Sequence, residues 1–336
     1  MNLLITGGAG FIGSNLVRWM LARHSDAVIV NVDNLTYAGN LENLEDCEQN
    51  SRYRFIKGDI ADGGLMESVF REHRIDAVIN CAAESHVDRS ILGSSEFVRT
   101  NIVGTNILLE LAKKHSLKKF VQISTDEVYG SLGVSGRFTE DTPIHPNSPY
   151  SASKAAADFL ALSYHHTFGI PVVATRCSNN YGPYQFPEKL IPLMIANAMQ
   201  DKPLPVYGDG LNVRDWIHVE DHCEAIDMVL QKGVPGGLYN IGGNSEKKNI
   251  DVVKLILRHL NKPESLITFV KDRPGHDRRY AIDSSKIQGE LGWKPKHSFE
   301  QGIAATIDWY VSNTDWWKRI TSGEYQDYYK KMYEER

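Results

Sequence analysis

Cysteine is scarce in this chain of 336 residues. Only Cys47, Cys81, Cys177 and Cys223 occur, and no two stand in a C-x-x-C spacing. Redox-pair and zinc-ribbon signatures are therefore missing, and reduced thiols in a cytoplasmic setting are expected. No metal site is expected; among the histidines only His218 and His222 stand four residues apart. Basic blocks are missing too. The formal net charge is -5 and no Lys/Arg stripe stands out, which argues against a nucleic-acid partner. No apolar run approaches the roughly 18 residues that span a membrane. The opening MNLLITGGAG has no basic leader, so no signal peptide is expected. Gly/Ser linkers, internal repeats and low-complexity segments are also missing.

What is present is a hydrophobic content of 42%, enough for a sizeable core, in a strand–helix alternation. Short apolar runs at Asn2–Thr6, Val28–Val32, Arg54–Ile56, Ala77–Asn80, Phe120–Ile123 and Pro171–Arg176 read as strands buried on both faces. Between them, Phe11–His24, Leu65–His73, Val98–Lys114 and the stretch from Tyr150 to the Gly169-Ile170-Pro171 stop read as helices. Beyond residue 180, prolines break the chain, and helices are expected at Leu190–Gln200, Glu220–Gln231, Ile250–Leu260 and Phe299–Val311. The pattern implies an α/β fold with a Rossmann-type doubly wound parallel sheet and a smaller, irregular α/β substrate-binding lobe. Residues 1–180 are expected to form the dinucleotide domain. Residues 181–336 form mainly the second lobe, with some chain returning to the first. Trp309, Trp316 and Trp317 are read as packing residues, and Tyr325 to Arg336 as a docked or frayed helix.

The strongest motif is LLITGGAGFIGSNL, in which Gly7, Gly10 and Gly13 follow a strand and open a helix. Gly7 permits a tight turn, Gly10 lets the backbone approach a pyrophosphate, and Gly13 allows close helix–strand packing. The phosphates would sit at the positive helix end. Asp33 closes the second strand at the distance expected of a ribose-binding acid. Its carboxylate accepts from a ribose 2′-OH and repels a 2′-phosphate, which favours NAD over NADP. The bland alternative is a turn cap. Asp59 and Ile60 end the third strand and are expected at the adenine edge, or as a plain turn.

Tyr150 and Lys154, in YSASK, stand one helical turn apart and face one site. A free phenol is a poor base at neutral pH, and a nearby ammonium lowers its pKa by roughly 1–3 units. The phenolate would take a hydroxyl proton while hydride leaves the same carbon for NAD, and Lys154 would also hold the nicotinamide ribose. Upstream, Thr125-Asp126-Glu127-Val128-Tyr129-Gly130 places two adjacent carboxylates directly after a strand end. Environment can split such a pair into one ionised and one protonated member.

Together GGAGFIG, YSASK and SNNYGP (178–183) resemble the extended short-chain dehydrogenase/reductase family over nearly the whole chain, and TDEVYG resembles its nucleotide-sugar 4,6-dehydratases. The resemblance implies that Thr125 bonds the reacting hydroxyl, Glu127 removes the C5 proton, and Asp126 protonates the departing C6 hydroxyl. It adds Phe11, Ile12, Asn34, Thr36, Ala82, Ala83, Thr100 and Asn180 to the NAD site, with Asn180 at the nicotinamide. On the substrate side it implies Ser85 over the sugar, and Lys189, Leu190, Pro205 and Tyr207 around the nucleoside. Asn179, Arg214, Asn249, Arg273 and His276 would stand near the diphosphate. Blander readings pair Arg214 with Asp215 or Asp221 and make His276 a surface turn residue. The implied partner is a nucleotide sugar, dTDP-glucose first and the UDP or CDP forms next. A 4-epimerase or decarboxylase on the same scaffold is the alternative, needing no Asp126 or Glu127. The family also implies a homodimer, built here through Val98–Lys114 and Ser151–Phe168.

Overall fold

In the computed structural model, residues 1–321 are described; the Tyr325–Arg336 stretch lies outside them. The strands are β1 (Asn2–Thr6), β2 (Val28–Asp33), β3 (Tyr53–Lys57), β4 (Ala77–Asn80), β5 (Lys119–Thr125), β6 (Val172–Cys177), β7 (Asn179–Tyr181), β8 (Leu204–Tyr207), β9 (Val213–His218), β10 (Leu238–Ile241), β11 (Glu246–Lys248) and β12 (Ile267–Val270). The helices are α1 (Phe11–Arg23), α2 (Gly63–His73), α3 (Val87–Leu92), α4 (Ser95–Phe97), α5 (Thr105–Lys114), α6 (Pro149–Phe168), α7 (Leu190–Met199), α8 (Val219–Lys232), α9 (Asn249–His259), α10 (Ser285–Leu291), α11 (Phe299–Ser312) and α12 (Thr314–Ile320).

Seven strands form one parallel sheet in the order β10-β6-β5-β4-β1-β2-β3. The order reverses between β1 and β4, and a crevice opens there at the carboxyl ends of the strands. Both faces are covered, which is why the strands read as apolar runs rather than alternating ones. On one face, Leu16, Val17 and Met20 of α1 pack with Ile226 and Val229 of α8. On the other, Val69 and Phe70 of α2 pack with Leu108 of α5 and Ala161 and Tyr164 of α6.

Beyond β6 the chain builds a separate core from Met194, Val253, Ile256, Ile303, Ile307 and Trp317. Trp309 and Trp316 pack against that core too. Two small sheets frame it, β11-β9-β7 and β12-β8. None of β7 to β12 was legible in the sequence. They are three to six residues long and interrupted by Gly and Pro, so no periodicity accumulates. β10 leaves this half and pairs with β6.

Val98–Lys114 departs from the expected α-helix. Val98–Gly104 is a π-helix, and α-helix begins only at Thr105. A Cβ on Gly104 would stand 2.6 Å from the Ile60 side chain, so this turn is pressed against the end of β3. Widened turns of this kind recur at functional sites. Here the wide turn carries Thr100 on the cleft wall and Asn101, which accepts from the Glu84 amide at 2.9 Å.

Candidate active site

Gly7 lies at φ +69°, where a side chain is strained, and a Cβ there would stand 2.7 Å from the Ala82 backbone. Gly13 is confined by packing: its Cβ would fall 2.1 Å from the Gly7 carbonyl oxygen. Gly10 is different. Its backbone is extended, and the nearest atom to an added Cβ is 3.4 Å away. The protein itself therefore leaves room there. Gly10 caps α1 without a side chain, and the first turn holds no acid, so the positive helix end is left for an anion.

Asp33 is buried, and each of its oxygens takes one backbone N–H, from Leu35 at 2.8 Å and Ala9 at 2.9 Å. Burial pushes its carboxyl up and these two bonds pull it down. The turn-cap reading is thus also true, while each oxygen retains accepting capacity and the residue lines the cleft. Asp59 caps Ala61 at 2.8 Å and pairs with Arg99 at 2.8 Å. These features fit a dinucleotide. The residues expected to hold NAD, from Gly7 through Thr100 to Asn180, all line one cavity of about 280 Å³.

The carboxylate pair follows directly from β5. Thr125 caps a 3-10 turn, Asp126–Tyr129, by accepting the Glu127 amide at 3.2 Å, and its hydroxyl lies 3.4 Å from Asp126 Oδ1. Val128 and Tyr129 anchor the turn in a small core with Phe138 and Ile282. Gly130, at φ +83°, ends it where a Cβ would strike the His145 carbonyl. Asp126 and Glu127, on neighbouring positions of this turn, both line the first cavity. Burial pushes Asp126 well above the usual carboxyl range, with Glu127 and Asp215 adding to it. Glu127 is raised by burial, but the cations Arg273, Lys189 and Arg214 pull it back. Both carboxyls are therefore raised, Asp126 the further of the two.

Helix α6 presents Tyr150 and Lys154. Ser148 and Ser151 form a capping box, Pro149 opens the helix, and Gly169 closes it in the left-handed region. Both side chains are buried, and Lys154 Nζ donates to the Ile123 carbonyl at 2.7 Å. One expectation is corrected here. In the protein alone the Tyr150 phenol is not lowered; burial and the Glu127 carboxylate push it well above its ordinary value.

The cavity continues into a second one of about 140 Å³, and Glu127, Asn179 and Lys189 belong to both. Leu190, Pro205, Tyr207, Arg214, Asn249, Arg273 and His276 line the second cavity, while Ser85 lines the first. Arg214 pairs with neither Asp215 nor Asp221. It donates to the carbonyls of Val213 at 2.8 Å and Asp277 at 2.9 Å and lies over the Tyr280 ring. The His276 side chain is 6% exposed and bonded to Asp272, so it is no surface residue. Buried atoms without a hydrogen bond gather here: Asn179 Oδ1, Asn249 Oδ1 and Arg273 Nε. Orphaned polar groups in a cavity are what a polar ligand satisfies.

Sequence reasoning missed several lining residues. Glu188, beside Lys189, is buried and pairs with Arg89 at 3.1 Å. Arg89 in turn lies 4.1 Å from the Tyr37 ring. Nothing local distinguishes Glu188 from a surface glutamate; only its burial does. Away from the cleft, His218, Glu220 and His297 bring possible ligand atoms within 4.8 Å of one another. The two rings lie with centroids 4.2 Å apart and their planes 34° apart.

The sheet and cleft define a nucleotide-dependent oxidoreductase scaffold carrying an added acid–base pair. The chain belongs to the family described as GDP-mannose 4,6 dehydratase, whose model matches residues 4–306. It is 56% identical to a dTDP-glucose 4,6-dehydratase of Xanthomonas campestris pv. campestris, over 96% of this chain and 97% of that one. It is 53% identical to the Escherichia coli dTDP-glucose 4,6-dehydratase, over 97% and 98%. Among solved structures, the Bacillus anthracis dTDP-glucose 4,6-dehydratase in complex with NAD matches at TM-score 0.90 and 55% identity, covering 95% and 99%. A Thermotoga maritima UDP-glucose 4-epimerase with UDP-glucose matches at 0.87 and 30%, covering 94% and 100%.

Proposed function

We infer that the chain is an NAD-dependent dTDP-glucose 4,6-dehydratase, a hydro-lyase that forms dTDP-4-keto-6-deoxyglucose and water. The observation that carries this reading is the Asp126–Glu127 pair on the turn after β5, both lining the cleft, with Asp126 raised further than Glu127. An epimerase needs no such pair, and the epimerase relatives stand at lower identity.

What NAD supplies when bound is a cationic ring and a reversible hydride acceptor. Tyr150 takes the proton of the sugar 4-hydroxyl as C4 is oxidised, and Thr125 orients that hydroxyl. The ketone acidifies the C5 hydrogen, which Glu127 removes. Asp126 delivers its proton to the departing C6 oxygen, so water leaves from C5–C6. Reduction at C6 and reprotonation at C5 complete the turnover. Lys189, Arg214 and Arg273 supply positive charge for the diphosphate, guanidinium matching phosphate with its fork.

Finer readings accompany this one. The enzyme works in the cytoplasm in deoxysugar biosynthesis, as a homodimer. Exposed Val103 and Phe159, at 46% and 57%, support pairing through the π/α5 and α6 faces. Light scattering at a monomer mass would overturn the dimer. Incubation with dTDP-glucose should give a product one water lighter with an alkali-induced absorbance. Recovery of an epimer or a pentose alone would overturn the dehydratase reading. UDP- and CDP-glucose run beside it are expected to turn over more slowly.

A further inference from the structure

Two buried charges stand directly behind the proposed catalytic couple, and the chemistry above uses neither. Asp158 lies one turn beyond Lys154 on α6, with a side chain 0% exposed. Arg176 on β6, 3% exposed, donates from Nε to Asp158 Oδ2 at 2.9 Å. Strand register sets Arg176 beside Ser124, the residue before Thr125. The guanidinium also lies 4.8 Å from the centroid of the Tyr129 ring, whose hydroxyl donates to Asn240 at 2.8 Å. Asp158 Oδ1 is buried and accepts no hydrogen bond.

A buried ion pair is a poor means of stabilising a fold, because desolvation offsets most of its attraction. With Lys154 included, two cations share one anion, leaving a net positive charge behind the Tyr150 phenol. We propose that the Asp158–Arg176 pair sets the charge of the Tyr150–Lys154 couple: Asp158 keeps the buried ammonium protonated, and Arg176 keeps Asp158 from cancelling it. Both are positioning residues, acting through Lys154. The inference rests on the roles given to Tyr150 and Lys154 above.

The surrounding charges are consistent with this division. Burial lowers Lys154, and Asp158 is the strongest group opposing that, ahead of the Cys177 and Cys81 thiols. Asp158 is faced by Arg176, Lys154 and the Ser124 hydroxyl. Arg176 is faced by Asp158 and Tyr129. Tyr150 is faced by Glu127, Cys177, Thr125 and Asp126. The carboxylates at the front of Tyr150 oppose its ionisation, and a positive charge held behind it would offset them.

The test is the pH dependence of cofactor reduction on first mixing with dTDP-glucose, a step that precedes the work of Glu127 and Asp126. Asp158→Asn removes the anion, so ammonium and phenol both lose protons more easily. The profile is expected to move to lower pH by about 1 unit or more. Arg176→Met frees Asp158 to neutralise Lys154, and the profile is expected to move to higher pH. A rate loss with an unmoved profile in both folded variants would mean a structural role and overturn the proposal, as would unchanged rates. If either single variant fails to fold, the other decides by the direction of its shift, and an unmoved profile there overturns the proposal. Tyr150→Phe separates the two readings. It should reduce the cofactor at least ~100-fold more slowly. Retained rate there refutes the role of Tyr150 itself, whereas a lost rate with unmoved profiles refutes only the charge-setting pair.

Discussion

His222 Nδ1 lies 2.8 Å from Asn180 Oδ1, inside a helix–strand junction where His222 is fully buried. Asn180 donates its amide to the Ser178 carbonyl at 2.9 Å and lines the cofactor cavity. Because the Asn180 oxygen accepts, His222 carries its proton on Nδ1 and is neutral; burial lowers its pKa to about 3. The orientation of one cleft-lining amide is thus set by a histidine 42 positions away in sequence.

That neutral histidine has a stability consequence. Its folded pKa lies below the unfolded value near ~6.5, so its contribution is complete above pH ~6.5 and lost as pH falls toward 3. His218 and His276, each lowered to about 4 by burial, act in the same direction. Asp215, raised to about 6, acts oppositely, favouring the fold as it takes up a proton. Asp126 and Glu127, also raised, act with Asp215, so the His222 contribution is read by difference between pH 7 and 5. Relative to the parent, denaturant melts of His222→Gln should show a stability slope less positive by about 1.4 kcal/mol per pH unit at the acid end of that window. An unchanged slope would show that His222 is already charged in the fold.

The fingerprint glycines should respond differently to alanine. Gly13→Ala drives a Cβ into the Gly7 carbonyl and should destabilise by about 3 kcal/mol or more. Gly10→Ala meets only ordinary contact in the protein and should cost about 1 kcal/mol of helix capping. It should nonetheless purify with little NAD, because its methyl group occupies the pyrophosphate's approach. Thermal melts and cofactor content of the two proteins decide this, and equal NAD loading in Gly10→Ala would count against the assigned approach.

Asp33→Ser should weaken NAD binding by about 10-fold or more, the worth of a charged hydrogen bond, and narrow the preference over NADP. Titration of apoprotein with both nucleotides measures it. A preference for NAD as strong as before would show that Asp33 serves only its turn, through Ala9 and Leu35.

Glu127→Gln should still convert bound NAD to its reduced form when dTDP-glucose is added, while product formation falls at least ~100-fold. The expected signal is a stable reduced-cofactor absorbance without the alkali-induced absorbance of product. Normal turnover would remove Glu127 from the C5 step.

Six of the seven strands of the large sheet, the glycine turn, Asp33, the TDE run and the Tyr150–Lys154 couple were legible in the amino-acid order; β10 was not. Each rests on local rules: apolar run length, a turn that only glycine permits, and side chains one helical turn apart. Those rules operate over a few residues, so they survive without knowledge of the fold. The small strands beyond β6, the π turn at Val98–Gly104 and the buried Glu188 were not legible. Their causes are contacts between distant segments, such as Gly104 against Ile60. The electrostatics belong to the tertiary structure as well. Sequence names Asp126 and Glu127 as neighbours, but only the fold buries both and brings Arg273 and Lys189 to bear on Glu127, so that Asp126 is raised the further. Desolvation is a property of the whole fold, and no spacing along the chain encodes it.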